Sequence, residues 1–237
     1  MNKFAVFDID GTLIRWQLYH AVVNKLAKEG VLGEDAHKTL KSAMMIWKRR
    51  EHDDSYKDYE YKLIKVYENA LLNLNTKIFD KLVLEVIDEY KDQTYVYSRN
   101  LLKQLKKQSY KLFIISGSHT ELIKHIAEYY GFDDFIGSIY ERDGQSFTGK
   151  NTHLPSLNKA GSLDLLIKRN SVTTEGSIGI GDTYSDAPIL SKVDNPIAFN
   201  PERRLYKHAK KQGWKIVVER KNVVYELVKS NEQYTLT

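Results

Sequence analysis

The chain has 237 residues, 42% apolar and 28% charged, enough for a sizeable core, and no apolar run approaches the roughly 18 residues that a membrane span needs. It has no cysteine, which excludes disulfides and thiolate metal sites and fits a reducing compartment. The net charge of +5 lies outside residues 15–94, where basic and acidic side chains balance, and much of it falls in 203–221. That basic stretch reads as a solvated helix face; without a recognition motif beside it, no nucleic-acid partner is expected. Lys3 is followed by only four apolar residues before Asp8, which is not a secretory leader, so a cytoplasmic protein is expected.

Phe4 to Phe7 is a short apolar run and predicts a buried strand. Two carboxylates follow, Asp8 and Asp10, then Gly11 and Thr12. On extended backbone, residues two apart share a face, so both carboxylates gather at the strand's carboxyl end. They repel each other there, and a divalent metal is one reason for both to stay ionised. From Leu18 the periodicity turns helical, with Leu18, Val22, Val23 and Leu26 on one face and Gly30 as the stop. Helices are predicted over 35–50, 54–74 and 76–92, so 15–94 reads as one all-helical block. Residues 99–108 predict a further helix, and Lys111 to Ile115 a strand ending at Ser116-Gly117-Ser118. A helix to Tyr130 follows, then a hairpin over 135–148 around Asp143-Gly144. Beyond it come a helix over 159–170, a strand over 177–180 ending at Gly181-Asp182, and short strands at 197–199 and 215–218. This alternation predicts an α/β fold: a Rossmann-like, doubly wound parallel sheet over 1–14 and 95–237, with 15–94 inserted as a helical cap.

Asp8 and Asp10, Ser116 to Ser118, Lys159, and Asp182 with Asp186 therefore stand at strand ends or just beyond. They are the groups that phosphoryl transfer needs: a carboxylate nucleophile, a metal held by carboxylates, a hydroxyl and N–H groups for phosphate oxygens, a fixed cation, and an acid/base. In order and spacing they resemble the haloacid dehalogenase superfamily, in its phosphoserine-phosphatase-like branch with a helical cap. Asp8, Asp10, Gly11 and Thr12 match its Asp-x-Asp-Gly-Thr motif. Ser116 matches its second motif, Lys159 its third, and Gly181-Asp182 with Asp186 its Gly-Asp-x-x-x-Asp motif. The resemblance implies Asp8 as nucleophile and Asp10 as general acid/base. It implies Mg2+ held by Asp8, the Asp10 carbonyl and Asp182, with Asp186 acting from behind or through water. It implies that Ser116, the Gly117 N–H and Lys159 hold the phosphoryl group. The expected activity is Mg2+-dependent hydrolysis of a small phosphorylated metabolite through an aspartyl-phosphate. Two alternatives use the same residue types: a phosphotransferase or mutase, and a non-enzymatic receiver-like module.

Arg15, Trp16, Gln17 and Tyr19, just past the first motif, are the first candidates for substrate selection. Phosphoserine phosphatases carry a glutamate where this chain has Gln17 and a cap arginine near Leu63, and both departures argue against phosphoserine. His119 reads as an exposed first-turn histidine. Tyr56, Tyr59 and Tyr67 read as packing within the cap.

Overall fold

The computed structural model describes residues 2–52, 54–72, 74–221, 223–230 and 233–236. The first strand, β1 (Lys3–Phe7), alternates its apolar side chains between two faces and is buried from Phe4 onward. Four helices follow without an intervening strand: α1 (Leu18–Lys28), α2 (Glu34–Arg49), α3 (Ser55–Leu71) and α4 (Thr76–Tyr90). The chain then returns through α5 (Val96–Lys107), β2 (Lys111–His119), α6 (Thr120–Tyr130), and a hairpin of β3 (Asp134–Asp143) and β4 (Ser146–His153). The rest is α7 (Lys159–Asn170), β5 (Thr173–Gly181), α8 (Ala187–Leu190), β6 (Asn195–Phe199), α9 (Arg203–Gln212), β7 (Lys215–Arg220), β8 (Val223–Ser230) and β9 (Gln233–Leu236).

The strands form a single sheet in the order β4-β3-β2-β1-β5-β6-β7-β8-β9. From β3 to β7 every neighbouring pair is parallel; β4, β8 and β9 are antiparallel additions at the two edges. The expected parallel α/β sheet is present. The C-terminal hairpin was not foreseen, and α5 starts three residues before the helix read from sequence. Val96 is not a strong helix-start signal by itself. Instead, the distant Glu219 carboxylate accepts the N–H groups of Val96 and Tyr97 at 3.1 and 2.8 Å, so the helix is started from outside its own sequence.

Each face of the sheet has its own core. Phe4 and Val6 point to one side, with Phe113, Ile115, Ala198 and Ile216, and are covered by α7, α8 and α9. Ala5 and Phe7 point to the other, with Ile180, Ile197 and Phe199, against Leu102 and Leu105 of α5. A third cluster joins the apolar faces of α1 to α4 to Ile114, to Leu122, Ile123 and Ile126 of α6, and to Phe147 of β4. The four-helix segment is thus packed onto α6 and the β3–β4 hairpin through a shared interior. Its two ends are pinched together, with an Ile14–Thr94 bridge and an Arg15 N–H bond to the Gln93 carbonyl at 2.7 Å. Among the described residues, no helix is long and apolar enough to cross a membrane.

Candidate active site

Strand β1 has β2 on one side and β5 on the other, so the sheet winds away from it in both directions. Open parallel sheets bind ligands at this switch point, at the strands' carboxyl ends. Register decides which residues meet there. Phe7 lies opposite Ile114 of β2 and Ile180 of β5. Asp8 directly follows β1, while Ser116 and Asp182 stand two residues past those partners, so all three reach the same shelf.

Asp8, Asp182 and Asp186 bring carboxylate oxygens within 4.8 Å of one another. Asp8 is buried, and its Oδ1 accepts from Lys159 Nζ at 2.7 Å. Burial, and then the nearby charges of Asp186 and Asp10, push its carboxyl up to about 7 even though Lys159 opposes them. Burial and the charges of Asp8 and Asp186 likewise raise the Asp182 carboxyl well above its ordinary range. Lys159 is itself only 4% exposed. Burial lowers its proton affinity, but Asp186 and Asp8 outweigh that and hold the ammonium above its ordinary range. Its placement comes from the start of α7: the Asn158 side chain accepts the Gly161 N–H at 2.9 Å and fixes the first turn, in which Lys159 is the first residue.

Asp186 is fully buried and holds two things at once. Its Oδ1 accepts from Lys159 at 2.5 Å, and its Oδ2 accepts the N–H groups of Asp182 and Thr183 at 3.1 and 3.0 Å. Gly181 permits this approach, because a Cβ there would meet the Asp186 Cβ and carboxyl carbon at 2.5 Å. Gly11 has φ +83°, and a Cβ on it would collide with the Asp182 carboxylate. Thr12, fully buried, donates to Asp182 Oδ1 at 3.1 Å.

The Asp10 carboxylate faces elsewhere. Its Oδ1 accepts the N–H of Leu18, the first residue of α1, at 2.6 Å. Its Oδ2 accepts from the hydroxyls of Ser116 and Ser118 at 2.9 and 2.8 Å. Burial raises its carboxyl, while these three donors pull it back. Ser118 was named from sequence with its segment but given no role of its own, although its spacing from Ser116 on β2 places both on one face. Gly117, between them on β2, is exposed. Arg15 is exposed with its guanidinium 5.5 Å from the Tyr95 ring centre, and Trp16 is 39% exposed. The Gln17 amide lies beside Gly11, near Asp182.

His119 is corrected: it is 1% exposed rather than a surface residue. Its ring stacks on Tyr140 at 4.3 Å and 8°, and Nε2 lies 2.7 Å from the Tyr67 hydroxyl. Its Nδ1 is 3.2 Å from Glu121, whose other oxygen accepts from Arg142 at 2.6 Å. Burial lowers the proton affinity of the imidazole. The residues that bury it come from α3, α4 and the hairpin, so helical position alone did not reveal it.

Among known proteins, a histidinol-phosphatase of Neisseria meningitidis is 26% identical over 92% of this chain and 99% of its own. A phosphoserine phosphatase of Archaeoglobus fulgidus is 21% identical over 86% of this chain, but the match spans only 54% of that protein. A solved protein of unknown function from Bordetella pertussis Tohama I has the same fold, with a TM-score of 0.72, 18% identity, and coverage of 91% of this chain and 98% of its own. The model of the haloacid dehalogenase-like hydrolases matches residues 5–191, which include every carboxylate of the shelf, and the chain belongs to that family.

Proposed function

We propose that this hydrolase is a Mg2+-dependent phosphatase that cleaves a small-molecule phosphomonoester through an aspartyl-phosphate on Asp8. The observation that carries the reading is a buried carboxylate at the switch point of the sheet, paired with a buried lysine and placed beside a second carboxylate held by two serines. Relatives named histidinol-phosphatase and phosphoserine phosphatase support a phosphomonoester as the substrate class. Residues 15–94 are read as a cap over a catalytic core of 1–14 and 95–237.

The donor set fits a hard divalent cation. Three carboxylates with one ammonium leave negative charge unmatched, and burial raises Asp8 and Asp182 for want of a counterion. Asp8, Asp182 and the Asp10 carbonyl would hold Mg2+, which when bound offsets the repulsion between the nucleophile and the phosphate. Asp186 positions Lys159 and the turn carrying Asp182. Ser116, the Gly117 N–H and the start of α6 receive phosphate oxygens, with Lys159 as fixed positive charge.

In the first step an Asp8 oxygen bonds to phosphorus, the ester P–O bond breaks, and protonated Asp10 gives its proton to the leaving oxygen. In the second step the Asp10 carboxylate takes a proton from water, the resulting hydroxide attacks phosphorus, and the Asp8–phosphorus bond breaks to release phosphate. Phosphate release from a panel of phosphomonoesters tests this. Release is expected with Mg2+, is lost on chelation, and falls by at least about a thousandfold in Asp8→Asn. Near-normal activity in that variant would remove Asp8 from the nucleophile's role.

A further inference from the structure

Helix α3 carries a carboxylate that the proposed chemistry does not use. On a 3.6-residue period, Tyr56, Glu60, Leu63 and Tyr67 fall along one stripe. Contacts fix both ends of it. The Tyr56 ring lies 5.1 Å from Trp47 and 6.4 Å from His20, which is two residues past the Leu18 N–H held by Asp10. The Tyr67 hydroxyl bonds to His119, the residue after Ser118. The stripe therefore runs from α1, whose first N–H Asp10 holds, to the carboxyl end of β2, with Glu60 between them.

Among the described residues Glu60 has no ion pair and no hydrogen bond. It is half-buried, and the charged groups acting on it are themselves acidic: Asp10 and Glu202, which with burial raise its carboxyl. Glu202 is anchored beside Asp182, giving its N–H to the Asp182 carbonyl at 2.9 Å and accepting the Tyr184 N–H at 3.0 Å. Tyr56, one turn before Glu60, is acted on by Glu60, Asp182 and Asp10 alike. The basic groups nearby are engaged: Lys159 with Asp8 and Asp186, Arg15 over Tyr95, and Arg204 over Tyr184 at 3.7 Å. A half-buried carboxylate facing other carboxylates is unfavourable until a cation arrives, and aromatic rings beside it favour the same charge.

We infer that Glu60 receives a cationic group on the substrate's leaving alcohol, so that the phosphomonoester is that of an amino alcohol. This rests on the phosphatase reading and names its substrate class. Gln17 is neutral and supplies no such charge at the start of α1. Leu63, one turn along the stripe and buried, offers nothing to a substrate carboxylate, which favours an amino alcohol over an amino acid.

The test measures kcat/KM with Mg2+ for O-phosphoethanolamine and L-histidinol phosphate, each beside its desamino isostere, and for phosphoserine. The native chain should prefer each ammonium ester over its isostere by about tenfold or more, with phosphoserine behind. Glu60→Gln should collapse the preference by a similar factor, mainly through KM, and Glu60→Asp should keep part of it. Equal losses on ester and isostere would mark a merely structural residue and overturn the inference. So would turnover confined to uncharged esters, which leaves the phosphatase reading standing. No release from any phosphomonoester removes that reading, and this inference with it.

Discussion

Gly11 is the residue where backbone and chemistry meet most closely. Its positive φ costs any L-residue about 1–2 kcal/mol, and a side chain would also displace the Asp182 carboxylate. Gly11→Ala should lower the unfolding midpoint and, separately, weaken metal-dependent stabilisation, both readable by thermal melts with and without Mg2+. His20 makes a different prediction. Burial lowers its proton affinity to about 4 from an ordinary 6.5. Between those values the unfolded chain takes up a proton that the folded chain refuses, so stability is lost as pH falls through that window. The loss approaches about 3 kcal/mol at its lower end. Urea unfolding at pH 7 and pH 4.5 should show His20→Phe losing less stability than the native chain on acidification. An equal loss in both would mean that His20 is protonated in the folded state.

Among the elements, α3 is tied to the carboxyl end of β2 by a buried hydrogen bond between Tyr67 and His119. With Glu121 beside Nδ1, that nitrogen carries the proton and Nε2 accepts from Tyr67. Tyr67→Phe leaves Nε2 unpaired in an apolar setting and should cost about 1–3 kcal/mol by chemical unfolding. A loss well below this would show that water reaches the imidazole. The same bond explains why His119 was misread. Its own neighbours in sequence describe a helix start, whereas its partners arrive from 52 residues earlier and from the hairpin. The gathering of the carboxylates with Lys159 was legible because each stands in a short motif at or just past a strand end or, for Lys159, at a helix start, and such motifs can be read locally. Thr12 and Ser118 stand in motifs read from the sequence, but their hydrogen bonds to Asp182 and Asp10 come from the register of the sheet, as does the approach of Glu202 to Asp182, which no motif announced. Glu219 is a similar case: one ordinary glutamate late in the chain starts α5.

For the molecule as a whole, the parallel α/β sheet and the all-helical stretch were legible because apolar runs and helical periodicity alternate strongly. The edge hairpin of β8 and β9 was not, since β8 is a short apolar run broken by Glu226 and Lys229 and β9 is only four residues long. Nor was the shared interior that joins α1 to α4 with α6. Leu122, Ile123 and Ile126 are all fully buried within it. Replacing 15–94 by a short linker would expose them, at about 1.5–3 kcal/mol each. The remaining chain should lose cooperative unfolding rather than behave as an independent core. A sharp calorimetric transition in that truncated chain would show that the sheet needs no helical partner. The central position of β1 also bears on how the molecule assembles. Strand β1 pairs with Lys111–Ile114 on one edge and with Ile178–Ile180 on the other. Both edges of Phe4–Phe7 are completed only by distant segments, the second of them well past the middle of the chain. Such long sequence separations slow folding, so the segment that ends in Asp8 is also the one most exposed to wrong pairing while the chain folds.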